Sequence, residues 1–295
     1  MAEKAWTGKT FGTGWMLRWL IAVLRWMDVR LLYIFSSIFV VPVCLMLNKS
    51  RGIAYRYFRE RHGFGRIKAA WKTYTNHCLF GQVVIDRFAM YAGKKFSIDI
   101  EGYEHFQQLA KGESAFVQLS SHVGNYEIAG YTLVSQEKRF NALVFFGEKS
   151  TVMENRDKMF ADTHIHMIPV SNDMGYLFEM NRALQDGEIL SMPADRFMGS
   201  SKSITLPFLG KEACFPMGPF SVATARGVDV ITVNVMKTSL KGYKIYVTPL
   251  SYDKQAPRRE QEEQLAQGYV NELERILRLY PTQWWQLDLT IRGWT

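Results

Sequence analysis

Two patterns of apolar and polar positions divide the chain near residue 95. From Trp15 to Met27 the run WMLRWLIAVLRWM is apolar except for Arg18 and Arg25, which stand seven apart and so share one face of a helix. That face suits the headgroup layer of a membrane while the remainder enters lipid. From Leu31 to Leu47 the run LLYIFSSIFVVPVCLML carries no charge over seventeen residues and contains Pro42, which puts it at the short limit for a span. Arg30 precedes it and Lys49 and Arg51 follow, so basic flanks on both sides set no direction of insertion. A hairpin or an interfacial pair of helices fits better than one straight crossing. A cleaved signal peptide is not expected, because the apolar core lies far from Met1 and no small-residue cleavage site follows it. The alternative is two core helices of a soluble protein, against which stand Trp6, Trp15, Trp19 and Trp26, residues typical of a membrane interface.

Beyond about Lys95, short β-rich runs alternate with helical patterns, the signature of an α/β layer fold. Strands are predicted at Phe96–Ile100, Ala115–Leu119, Ala142–Phe146, His164–Val170, Ile189–Met192, Val228–Met236 and Tyr243–Val247. Helices are predicted between them, notably Asn125–Ser135, Met174–Gln185, Gly218–Arg226 and Arg259–Tyr280. The expected division is a membrane-anchoring helical region over 1–95 and an α/β catalytic domain over 96–295. No internal repeat or low-complexity tract interrupts either part.

With 295 residues, 47% of them hydrophobic, the chain can bury a full core. Its formal charge of +8 and pI near 9.3 come with an uneven distribution, since basic residues crowd the first third: Arg18, Arg25, Arg30, Lys49, Arg51, Arg56, Arg59 and Arg61. Basic residues among apolar runs suit an anionic bilayer surface, where each is worth about 1 kcal/mol. Nucleic acid is the weaker reading, because no zinc-finger, helix-turn-helix or RNA-binding signature accompanies the charge. Cys44, Cys78 and Cys214 are scattered without CxxC spacing, which indicates neither a disulfide framework nor a structural zinc and points to a reducing, cytosol-facing location.

The strongest chemical signal is LSSHVGNYEIAG. An apolar strand (AFVQL) ends in two serines, His122 opens the turn, and Gly124 and Asn125 lead into a helix near Tyr126. His122 therefore stands at the carboxyl end of a strand, the edge at which open α/β sheets bind ligands. Glu127, five positions on, falls in the first helical turn and is expected to reach back to one imidazole nitrogen. A hydroxyl that attacks a thioester must lose its proton as it attacks, and neutral histidine is suited to take it near pH 7. A carboxylate on the far ring nitrogen would fix the tautomer and stabilise the imidazolium. The competing reading is a turn histidine that caps the following helix.

A second constellation, ILSMPADRFMGSSKSITLPFLGKEACFPMGPF, places Asp195 and Arg196 just past another strand end. Arg196 is suited to a phosphate or to a donor's phosphopantetheine, and Asp195 to positioning it or binding the acceptor; a structural ion pair is the alternative. The stretch Pro216 to Phe220, with Gly218 at its centre, reads as a loop opening a helix whose N–H groups can meet an oxyanion or phosphate, or as a plain helix start. His164 and His166 share a strand face, but no third ligand follows at a convincing spacing, so no metal is expected. His62, His77 and His105 read as packing or surface residues.

Taken together, these blocks resemble the late acyltransferases of lipid A biosynthesis, within the wider lysophospholipid acyltransferase-like group. The resemblance rests on the Trp-rich basic N-terminal helices, HxxxxE at His122 and Glu127, GEILSMPADR, LPFLGKEACFPMGP, and a long last helix followed by PTQWW. It implies a mixed central sheet covered by helices, as in glycerol-phosphate acyltransferases. It also implies an acyl carrier protein as donor, a disaccharide lipid as acceptor, and the cytoplasmic face of a bacterial inner membrane. His122 and Glu127 correspond to the family's dyad and Asp195 to its second acidic block. Two stretches depart from the pattern: ENRDKMF offers only Asn155 and Arg156 for the family's middle Asn/Arg block, and WWQLDLTIRGW lacks the usual aromatic and basic ending. The reading is an acyltransferase without cofactor or metal, in which His122 is general base with Glu127 behind it, and Asn125, Arg156, Asp195, Arg196 and Gly218 bind substrate. Its rivals are transfer to another lipid acceptor and a non-catalytic membrane adaptor. A lipid hydrolase is disfavoured by the lack of a G-x-S-x-G elbow.

Overall fold

A computed structural model describes residues 14–47, 50–145, 165–170, 175–197 and 202–285. The N-terminal helices come first. Helix α1 (Gly14–Trp26) buries Ile21 and Leu24 and leaves Trp15, Arg18, Trp19, Arg25 and Trp26 exposed. Helix α2 runs over Val29–Leu47, starting where the Asp28 carboxylate accepts the Arg30 N–H at 2.9 Å. It loosens into a π-turn at Ser36–Val40, one turn ahead of Pro42, where the missing proline N–H would otherwise break an α-helical ladder. Its mean hydropathy is 2.1 and only 17% of its most apolar stretch is buried, so it is long and apolar enough to cross a membrane and is not a core helix. Leu31, Ile34, Phe35, Ile38, Phe39, Val43, Met46 and Leu47 face outward, while Tyr33 and Val41 face inward.

Helix α3 (Ser50–Arg56, extended by a π-turn over Tyr57–Arg61) and the long α4 (Arg66–Tyr91) follow. Neither was read as an element from sequence, because 50–91 mixes charges with apolar residues without a clean stripe. Helix α4 is the piece that joins the two parts of the chain. On one side Phe88 and Ala89 pack with Ile21, Leu24, Val29 and Tyr33, and the Tyr74 hydroxyl donates to Ser37 O at 2.8 Å. On the other, it supplies Asn76 and Arg87 to the carboxyl edge of the sheet, described below.

The sheet has seven strands: β1 (Ser97–Glu101), β2 (Phe116–Ser120), β3 (Phe140–Phe145), β4 (Ile165–Val170), β5 (Ile189–Pro193), β8 (Asp229–Ser239) and β9 (Gly242–Leu250). Their spatial order is β1-β9-β8-β2-β5-β3-β4, and every pairing is parallel except β8 with β9. This is the mixed central sheet expected from sequence, with every predicted strand found within a few residues. Helices α5 (Tyr103–Lys111), α6 (Glu127–Thr132), α7 (Gly175–Gln185), α8 (Gly218–Arg226) and α9 (Arg258–Leu279) cover it. Central strands buried on both faces read as continuous apolar runs, which is why FVQL and VITVNV stand out. Along β8, Ile231, Val233 and Val235 enter a core with Phe106 and Ile128, whereas Val230 and Met236 enter one with Leu265, Tyr269 and Trp284.

One element departs from expectation. Ser203–Phe208 (β6) and Lys211–Pro216 (β7) form a separate antiparallel hairpin where sequence reading placed a connection. Its tight turn puts Leu209 and Gly210 at positive φ, and Pro207 is tolerated inside β6 because both strands of a two-stranded ribbon are edge strands. The Arg61 guanidinium pins the hairpin by donating to the carbonyls of Phe208, Lys211 and Glu212.

Beneath α2 lies a buried ion pair. Asp86 of α4 accepts from Lys237 Nζ of β8 and from the hydroxyls of Tyr33 and Tyr243, and Lys237 also donates to Leu240 O at 3.1 Å. Burial pushes the Asp86 carboxyl up and the Lys237 ammonium down, and their mutual attraction opposes both shifts. Removing one partner strands the other charge without solvent. Asp86→Ala is therefore expected to destabilise the protein by about 3–5 kcal/mol, and the paired replacement Asp86→Leu with Lys237→Met by clearly less, as measured by denaturant unfolding in detergent.

His62 makes a second buried titratable site, stacked at 5.4 Å on Phe64 and edge-on to Tyr57 at 4.8 Å. Burial, aided by the nearby Arg278 charge, pulls its imidazole down to about 4. The folded state then binds fewer protons than the unfolded state between about pH 4 and the ordinary histidine value of 6.5. Stability from this site is thus full above that window and lost as pH falls through it. Replacing His62 by Phe is expected to flatten the slope of unfolding free energy against pH between those values.

Candidate active site

The parallel register of β2 and β5 pairs Ser120 with Pro193, the last residues of the two strands. Two residues beyond each stand His122 and Asp195, side by side at the carboxyl edge of the sheet. Asp195 Oδ1 lies 2.7 Å from His122 Nδ1, and Oδ2 accepts the His122 backbone N–H at 2.8 Å and the Trp284 indole N–H at 3.1 Å. The carboxylate is fully buried. Burial alone would push it up, yet the His122 charge, the two bonds from His122 and the indole bond outweigh that and hold it below the ordinary carboxylate range. An ionised Asp195 accepts a proton-bearing Nδ1, so the tautomer follows from geometry. Nε2 is the ring nitrogen that Asp195 does not hold, on a side chain 17% exposed.

Glu127 does not occupy the place expected of it. Its carboxylate accepts from the Tyr91 hydroxyl at 2.9 Å and pairs with Arg87 Nε at 3.1 Å, both from α4. The reason lies in the turn: Gly124 and Asn125 cross over β8, where the Asn125 N–H donates to Val235 O at 2.9 Å, and α6 leaves with its first residue facing α4. Glu127 still acts on the site at one remove. The Arg87 guanidinium it holds lies 5.7 Å over the Tyr126 ring, and that ring packs edge-on at 5.8 Å against the imidazole.

The segment 282–285 closes the turn from outside and was not read from sequence as part of the site. Val123 and Trp284 form an antiparallel bridge, Gly124 N–H donates to Gln283 O at 2.8 Å, and Trp285 N–H donates to His122 O at 3.0 Å. The Trp285 indole donates to Gly124 O at 2.8 Å. Asn76 of α4 holds the segment by donating to the carbonyls of Thr282 and Trp284, and the Gln283 amide clasps the backbone of Lys237. Below the turn, the Ser121 hydroxyl meets the Tyr269 hydroxyl at 2.7 Å.

Of the remaining candidates, Asn125 is buried in the same turn, and Arg196 is half-buried beside Asp195. Gly218 opens α8 after β7, with Pro219 in its first turn, and no hydrogen bond among the described residues joins it to the His122 turn. Asn155, Arg156 and His164 lie outside the described residues. His166 Nε2 sits 3.3 Å from Glu179, and among the described residues no three ligating side chains cluster as a metal site would require.

Comparison with known proteins gives the family. A family model for bacterial lipid A biosynthesis acyltransferase matches residues 85–289. The chain belongs to that family. It is an acyltransferase that acts on lipid-type acceptors, and the matched stretch contains His122, Glu127, Asp195 and Trp284. Among solved structures it is similar to the 1-acyl-sn-glycerophosphate (LPA) acyltransferase PlsC from Thermotoga maritima, at 12% identity and a TM-score of 0.39, covering 88% of this chain and all of the other. A search of curated proteins found no match.

Gly124 offers a sharp test of this turn. Its φ is +48°, and a Cβ there would fall 1.8 Å from Val235 O. Gly124→Ala is expected to displace the turn from β8, abolish acyl transfer, and lower stability by at least about 1–3 kcal/mol, read by turnover and by unfolding.

Proposed function

We propose that this acyltransferase moves a fatty acyl chain from a thioester, carried on acyl carrier protein or coenzyme A, to a hydroxyl of a lipid A precursor, with His122 Nε2 as general base. The observation that carries this reading is the anchoring of Nδ1 by buried Asp195, which leaves Nε2 as a lone-pair acceptor. The acceptor hydroxyl gives its proton to Nε2 as its oxygen attacks the thioester carbonyl. The C–O bond forms, the C–S bond breaks, and the imidazolium returns the proton to the departing thiolate. Asp195, not Glu127, is then the carboxylate that offsets the imidazolium charge, and no covalent enzyme intermediate is needed. Arg87, which reaches the imidazole through the Tyr126 ring, and Arg196, next to Asp195 in the chain, are basic groups suited to offset charge on the carbonyl oxygen or a phosphate.

The outer surface of α1 and α2 supports work at a membrane, on the cytoplasmic face of the inner membrane in this reading. Tryptophan and arginine alternate on the exposed face of α1, as suits a headgroup layer, and the exposed face of α2 is wholly apolar from Leu31 to Leu47. The net charge of +8 also suits an acidic carrier protein.

The test is transfer of labelled acyl groups from both donors to a panel of lipid acceptors, using detergent-purified wild type, His122→Ala, Asp195→Asn and Glu127→Gln. His122→Ala should lose about 10²–10⁴-fold in rate. Asp195→Asn, which favours the wrong tautomer, should lose up to about 10⁴-fold. Glu127→Gln should be milder than either. An acceptor other than a lipid A precursor would revise the substrate alone, full transfer by His122→Ala would remove the base, and a wild type inert with both donors on every acceptor would leave the adaptor reading.

A further inference from the structure

We propose that Trp284 is a positioning residue of the transfer reaction, its indole N–H holding one oxygen of Asp195 so that the other stays in line with His122 Nδ1. The inference rests on the reading of His122 as base. Asp195 divides its two oxygens: Oδ1 serves the imidazole, and Oδ2 receives the His122 backbone N–H and the indole. Rotation of the carboxylate about its Cβ–Cγ bond would misalign Oδ1, and the two donors on Oδ2 oppose that rotation. The backbone donor belongs to the same residue as the base. The indole comes from a different part of the chain and fixes the carboxylate to the fold independently.

Trp284 is held well enough to do this. Its ring is fully buried, edge-on to Tyr57 at 5.5 Å and to Phe208 at 5.4 Å, and its backbone bridges Val123. The Asn76 amide grips its carbonyl at 3.1 Å, and the next residue bonds both His122 O and Gly124 O. An aromatic ring for packing alone would be served by Phe, since burying an indole N–H costs free energy unless it finds an acceptor. Here the acceptor is the carboxylate that orients the base.

Trp284→Phe keeps a large aromatic ring and removes only the donor. The indole bond to an ionised group predicts a kcat loss of about 10- to 100-fold with KM nearly unchanged. Without that donor the carboxylate is more basic and holds a protonated imidazole more tightly, so the acidic limb of the kcat/KM profile should move to higher pH. Because Trp284 acts through Asp195, Trp284→Phe should cost little in an Asp195→Asn background. Should Trp284→Phe fail to fold, benzothienylalanine at 284 keeps the bicyclic shape without the N–H and is expected to give the same profile. Wild-type kcat and pH profile in the folded variant, or a full loss repeated in the Asp195→Asn background, would overturn the inference. His122→Ala separates the two ideas: if it is inactive while Trp284→Phe is normal, only the role of Trp284 falls, and if it is active, the base itself falls.

Discussion

The contact between Asp195 and His122 is the constraint on which the rest of the site depends. It places a carboxylate in a fully buried position, where ionisation is favoured only if donors surround it, and the three donors come from two stretches of chain: the His122 backbone and imidazole, and the Trp284 indole. Strand register brings the first two within reach of Asp195. The last is brought by a segment that does not belong to the sheet at all but crosses the turn and is secured by α4. A burial that would otherwise neutralise the acid is thereby turned into a rigid mount for the imidazole.

Helix α4 carries an unusual share of this arrangement. Along 26 residues it meets the apolar helix α2 through Tyr74 and Asp86, the closing segment through Asn76, and the Glu127 carboxylate through Arg87 and Tyr91. Its amphipathic pattern is weak because it is contacted on several sides, each asking for a different chemistry. The surface that suits a membrane and the edge that suits catalysis are therefore attached to one rod. The buried Asp86–Lys237 pair and the Gln283 clasp on the Lys237 backbone complete a path from α2 to the His122 turn.

Much of this was legible in the sequence, and the reasons differ by feature. The strands were readable because central parallel strands are apolar on both faces, and HVGN was readable because a strand end, a glycine turn and a helix start follow one another locally. The partner of His122 was not. Chain spacing points to Glu127, five residues away, whereas the contact is made by Asp195, 73 residues away, through a register that no local pattern encodes. Glu127 was diverted by the path of the turn over Val235, a tertiary effect. The contacts of PTQWW were hidden similarly: a tryptophan pair in sequence does not show which acceptors its indoles find. The β6–β7 hairpin has no continuous apolar run to mark it, because a two-stranded ribbon outside the main sheet leaves alternate residues of β6 exposed.

The position of the closing segment has a consequence for how the protein is made. The contacts of Trp284 with Asp195 and of Trp285 with His122 O join residues 89 and 163 positions apart. A chain emerging from the ribosome has already presented α1 and α2, and has laid down β2 and β5, before residues 282–285 leave the exit tunnel. During that interval the imidazole has its carboxylate but lacks the lid that fixes it. The segment 282–285 is thus made after the surface suited to lipid, so a nascent chain can reach a bilayer before the His122 turn is closed.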